Sequence, residues 1–253
     1  MTSVTSRAKG TEQPRGGYIP LKRFKITKLD DGIILNPKEN IHSSSVGMAV
    51  DYLTRVNIGT DAESVFFASL RGAANIHETA EAMELLNDVN SIDDQSIINA
   101  CKLSGYDVCY RASRALYKPV EGINPDEDTI ENIRTMVKRG ITFFEKYGPI
   151  VLDGFTFDGA YTDIVTTGDG DFLTESTLWD FKVSVSKPNK NHTLQILMYY
   201  LMGLRSVHKA EFENLDSLGF FNPRLNHVYL LEVENIGIDL IDKISKEVIG
   251  YSD

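Results

Sequence analysis

The chain has 253 residues and a mass of 28.3 kDa, enough to bury a substantial core without disulfide or metal staples. Its net charge of −10 and pI near 5.0 argue against a protein that coats nucleic acid indiscriminately, but leave room for an enzyme that gathers carboxylates for a metal and keeps a local basic strip. Two cysteines, Cys101 and Cys109, offer no zinc or cluster spacing and fit a reducing cytoplasm, and no stretch approaches the roughly 20 apolar residues that cross a bilayer.

Residues 1–20 are polar, with Pro14 and the Gly16-Gly17 pair, and read as a flexible leader; residues 21–253 read as a single domain. Asp30-Asp31-Gly32 predicts a short hairpin within residues 22–34. Ser43, Ser44 and Ser45 offer N-caps to a short helix over residues 46–56. Ala62, Val65, Phe66, Ser69, Ala73, Ile76, Ala80 and Met83 form one stripe, which predicts a helix from Asp61 to about Asn87. His77 borders that stripe, and Gly72 would let another backbone or a substrate approach closely. Another helix is expected over 93–103, ended by Gly105, with a further turn over 111–117. Pro125 followed by Asp126, Glu127 and Asp128 places acidic groups at the positive end of a helix reaching about Tyr147.

Beyond Pro149 the texture changes to strands, at 150–157, 160–166 and 176–183, with turns at Asp158-Gly159 and over residues 168–171. A helix over 191–204, strands at 218–221 and 227–233, and a terminal helix reaching Ile249 complete the chain. The sum is an α/β fold of mixed α+β character: a helical N-terminal half, then a central mixed β-sheet flanked by helices.

On a strand through residues 179–183, Asp180 and Lys182 share one face while Trp179, Phe181 and Val183 share the other. Paired carboxylates can hold Mg2+ or Mn2+ through oxygen, and a lysine beside them can orient or deprotonate a water and offset phosphate charge. Asp163, on the expected strand before, supplies a second carboxylate. Gln195 and Tyr199 lie four residues apart on one face of the following helix. Lys182, Lys187, Lys190, His192, Arg205 and Lys209 read either as a local basic strip for phosphates or as a solvated loop. On the residues alone, Asp180 and Lys182 also read as an ordinary ion pair, and His77 as a core histidine.

In order, the chain carries Gly72-Ala-Ala-Asn-Ile-His77-Glu78, Gly159-Ala-Tyr-Thr-Asp163, Trp179-Asp180-Phe181-Lys182 and Gln195-Ile-Leu-Met-Tyr199. This set resembles the RecB-type exonucleases of the PD-(D/E)XK nuclease superfamily, in the stand-alone form found in phages. The resemblance implies a restriction-endonuclease-like core and an Mg2+- or Mn2+-dependent deoxyribonuclease. Its metal ligands would be His77, Asp163, Asp180 and the backbone carbonyl of Phe181, with Lys182 catalytic and Gln195 and Tyr199 supporting. It further implies a cytoplasmic exonuclease acting on linear duplex or single-stranded DNA ends in phage or mobile-element recombination, with a single-strand annealing recombinase as partner or a homo-oligomer as assembly. Four cluster-binding cysteines and a nucleotide-binding loop are absent, so the expected hydrolysis is independent of ATP. The alternative is a catalytically silent module that keeps the fold and binds nucleic acid or protein.

Overall fold

The computed structural model describes residues 1–252. In chain order its elements are α1 (Val4–Gly10), β1 (Lys25–Lys28), α2 (Ser43–Asn57), α3 (Ala62–Val65), α4 (Phe67–Asn75), α5 (Thr79–Asn87), α6 (Asp94–Ser104), α7 (Asp107–Arg111) and α8 (Glu127–Tyr147). There follow β2 (Leu152–Thr156), β3 (Asp169–Leu173), β4 (Thr177–Phe181), α9 (Lys190–Gly203), α10 (Lys209–Phe212), β5 (Ser217–Asn222), β6 (His227–Glu232) and α11 (Ile238–Lys243), which continues as a wider helical turn over Ile244–Ile249. The fold is mixed α/β, as the periodicities predict. The chain forms two compact units, Asp30–Lys146 and the remainder of the chain.

The second of these holds a six-stranded sheet in the order β1-β6-β5-β4-β3-β2. Only β4 and β5 run parallel, so the chain between them must cross over, and α9 makes that crossing. From Thr193 to Gly203 every residue of α9 is buried, as a helix apolar on all sides requires. One side meets β4 and β5 and another meets α1.

That contact corrects the reading of residues 1–20 as a flexible leader. Val4, Ala8 and Ile19 are fully or almost fully buried, and Thr5 accepts a hydrogen bond from Gln195 (3.1 Å). The segment is polar in composition, yet its few apolar residues fall where one helical face can use them. The hairpin expected within 22–34 is also absent: β1 pairs with β6, while Asp30 and Asp31 accept backbone N–H bonds from Gly32 and Ile33 in a local turn.

Of residues 168–171, expected as a turn, Asp169 to Asp171 instead open β3. A Cβ on Gly170 would stand 2.3 Å from the Phe155 ring and one on Gly168 would stand 2.6 Å from Val4, so these glycines serve close packing.

In the unit Asp30–Lys146 the expected helix over 61–87 is broken into α3, α4 and α5. Its second break has a defined cause. The N–H of Glu78 bonds the carbonyl of Ala73 (3.0 Å) and that of His77 bonds Ala74 (3.3 Å), closing α4 in a Schellman cap. His77 occupies the left-handed position of that cap, with φ 68°. Gly72 plays the part the sequence suggests: a Cβ there would meet the backbone carbonyl oxygen of Tyr106 at 1.9 Å, so α4 and the start of α7 pack backbone to backbone. The acidic start of α8 is likewise as expected, with Asp126 accepting from the Thr129 N–H (2.9 Å).

Candidate metal centre

The centre is built at the carboxyl end of β4. Every side chain from Thr177 to Phe181 is buried, and alternation sends Leu178 and Asp180 to the α9 side of the sheet and Trp179 to the other. Asp180 is 2% exposed and its Oδ1 accepts from Lys182 Nζ at 2.8 Å. Asp180 Oδ2 is buried with no hydrogen-bond partner among the described residues.

The second carboxylate is Asp171. Phe172 pairs with Trp179 and Leu173 with Leu178, so extending the antiparallel register by one residue sets Asp171 opposite Asp180 on the same face. Asp171 Oδ2 accepts the backbone N–H of Phe181 at 2.6 Å, which ties the carboxylate to the end of β4. Burial alone would depress the Lys182 pKa, but the charges of Asp180, Asp171 and Asp169 outweigh it and raise the ammonium above its ordinary value.

On α9, the Gln195 side-chain amide donates to the Tyr199 hydroxyl at 2.6 Å, and the Tyr199 ring stacks on Phe157 with centroids 5.1 Å apart. Burial first, and then the charges of Asp180 and Asp171, push the Tyr199 hydroxyl far above its usual range, so it stays protonated and can donate. Asn189 caps α9, and its own N–H donates to His192 Nδ1 (3.3 Å). Burial and the neighbouring Lys182 charge lower the His192 pKa, with Asp180 opposing, so a neutral imidazole stands by the carboxylates.

The structure therefore brings together Asp180, Lys182, Gln195, Tyr199 and His192 and adds Asp171, which the sequence reading treated as part of a turn. Asp163 is not on a strand. The hydroxyl of Thr162 accepts the N–H groups of Ile164 (3.2 Å) and Val165 (3.0 Å), folding residues 162–165 into a turn that buries Val165 and leaves Asp163 and Ile164 exposed, despite their β-branched texture. Asp163 points to an open surface cleft lined by Tyr161, Thr166 and Tyr251. His77 is exposed at its helix cap in the other unit rather than carried on a helical stripe. Lys187 and Lys190 are exposed; Lys187 lies near His227, whose pKa is lowered by burial and by Lys28 and Lys187.

Mg2+ is commonly held by one or two carboxylates and completes its shell with water and phosphate oxygens. Asp180 Oδ2, with Asp171 opposite it, fits that demand, because a buried carboxylate oxygen lacking a donor costs about 1–3 kcal/mol that a cation offsets. Among the described residues no group of three or more His, Cys, Asp or Glu side chains could hold a metal ion. Of the expected ligands, Asp180 is buried at the end of β4, Asp163 is exposed on a turn and His77 is exposed at a helix cap, while Asp171 is the carboxylate that stands opposite Asp180. No family model, no curated protein and no solved structure matches this chain.

Proposed function

We propose that the chain is a metal-dependent deoxyribonuclease that hydrolyses phosphodiester bonds at DNA ends. The reading is carried by one observation: the buried, unpartnered Oδ2 of Asp180, in a carboxylate pair closed by Lys182. When bound there, Mg2+ or Mn2+ would supply Lewis acidity toward a phosphate oxygen and lower the pKa of a water. The protein's own groups do the rest. Lys182 stays cationic beneath three carboxylates and offsets the charge that grows on the phosphorane oxygens. Asp171 orients the attacking water and takes its proton as the new P–O bond forms, and the alkoxide released when the scissile P–O bond breaks is protonated by solvent water. Tyr199, fixed by Gln195 and by stacking on Phe157, stays neutral and donates a hydrogen bond into the site. His192 and Lys190 at the start of α9 present donors and charge to the phosphate backbone.

End-labelled linear duplex, end-labelled single strands and closed circular duplex incubated with Mg2+ or Mn2+ test this. Release of label from the linear substrates only, abolished by EDTA, supports it. Retention of label under every metal, with binding that persists in EDTA, would instead favour a silent nucleic-acid-binding module.

A further inference from the structure

In the unit Asp30–Lys146, Phe67 and Tyr110 are 48% and 50% exposed. Their rings meet edge to face with centroids 5.7 Å apart at 87°. The two helices that carry them are locked together beneath. Gly72 sits on the Tyr106 carbonyl, Asn75 Nδ2 donates to the Cys109 carbonyl at 3.1 Å, and Ser69 Oγ donates to Asp107 at 2.6 Å. One turn along α4 from Phe67, Arg71 holds its guanidinium 5.3 Å from the Phe67 centroid. Arg111, one residue beyond Tyr110, is half exposed and paired with Asp107 at 3.2 Å, and Arg114, three residues further on, is exposed. A pair of touching aromatic rings held on rigid helices, with the Arg71 guanidinium over one of them, stands out on a unit whose acidic residues outnumber its basic ones.

We propose that this face of α4 and α7 is a stacking platform for single-stranded nucleic acid. Bases of a single strand have free π-faces, whereas those of a duplex are already stacked on one another, so exposed rings select the unpaired strand. Arg71 and Arg114 supply the countercharge for its phosphates. The choice of polyanion rests on the nuclease reading. A platform of this kind would hold an unpaired tail independently of the chemistry at Asp180.

The test is fluorescence anisotropy of an end-labelled oligo-dT of about 20 nucleotides, longer than the usual site of a single-strand-binding module. EDTA is present throughout so that binding is read without cleavage. Phe67→Ala and Tyr110→Ala should each weaken binding by roughly 5- to 100-fold, while Phe67→Tyr and Tyr110→Phe, which keep the rings, should bind like the parent. Arg71→Gln should flatten the dependence of affinity on salt. Affinity unchanged in a Phe67→Ala/Tyr110→Ala double variant with native circular dichroism overturns the platform, as does equal loss in the ring-keeping variants. Cleavage assayed in parallel separates the two claims. A protein that cleaves while its affinity ignores these rings loses only the platform, and ring-dependent binding without metal-dependent cleavage upholds the platform and removes the nuclease reading.

Discussion

Replacing Asp180 by Asn separates the cost of the buried carboxylate from its use. In the parent, Oδ2 is buried without a donor, and Oδ1 is tied to Lys182 at 2.8 Å. Removing one partner of a fully buried ion pair costs about 3–5 kcal/mol. Here Lys182 keeps the charges of Asp171 and Asp169 and leaves 25% of its side chain in solvent, and Asn still offers an acceptor to Nζ. Relief of the unpartnered oxygen, about 1–3 kcal/mol, works in the opposite direction. Without metal the variant should therefore stand within about 1 kcal/mol of the parent. With Mg2+ at about ten times its Kd, the parent should gain about 1.4 kcal/mol, or roughly 3–6 °C in Tm, and Asp180→Asn should gain nothing. The sole tryptophan, Trp179, is buried next to Asp180 and hydrogen-bonds Thr174 at 2.9 Å, so its fluorescence reports unfolding of the unit that holds the site. A parent whose transition ignores Mg2+ and Mn2+, or a variant with the parent's metal-induced shift, would refute the reasoning.

Other perturbations test the scaffold. Arg139 is 7% exposed and grips Asp31 through two nitrogens at 2.6 and 2.9 Å, which holds the Asp31 carboxyl below its usual value. Because that pKa is lowered by folding, the pair's contribution is complete above about pH 4 and is lost as pH falls through the depressed value. Asp31→Asn should cost about 1–2 kcal/mol at pH 7, discounted for the partly exposed carboxylate, and should blunt the acid-side loss measured by urea titration across pH. Gly72→Ala places a methyl group 1.9 Å from a backbone oxygen that cannot swing aside, so chemical denaturation should show a loss of about 3 kcal/mol or more. Deleting residues 1–12 uncovers α9 and frees Gln195 from Thr5, and should lower the Trp179-detected Tm; a truly flexible leader would leave it unchanged.

The comparison of Asp163 with Asp171 shows what the sequence made legible. Elements with strong periodicity and chemical caps, such as α6 behind Asp93, α8 behind Asp126 and the buried run of α9, are readable directly, as are Asp180, Lys182 and the Gln195/Tyr199 face. The partner carboxylate depends on register, which local texture does not carry. Gly168-Asp169-Gly170-Asp171 has the composition of a turn, but its glycines are spent on contact with Val4 and Phe155. The actual turn is Glu175-Ser176, closed by the Thr174 N–H on the Thr177 carbonyl (3.0 Å), and it contains neither Gly nor Asn. Once that two-residue turn is fixed, counting back along both strands sets Asp171 against Asp180. His77 follows the same logic: its stripe is helical, but a Schellman cap competes locally and prevails. The N-terminal helix is missed because three buried apolar residues hardly alter the composition of twenty.

The most direct measurement of the central claim is metal-dependent release of end label from linear duplex DNA by the parent, Asp171→Asn, Asp180→Ala and Asp163→Asn. The account predicts loss of roughly 100-fold or more for Asp171→Asn and Asp180→Ala, and activity close to the parent's for Asp163→Asn. Loss in Asp163→Asn with activity retained in Asp171→Asn would contradict it.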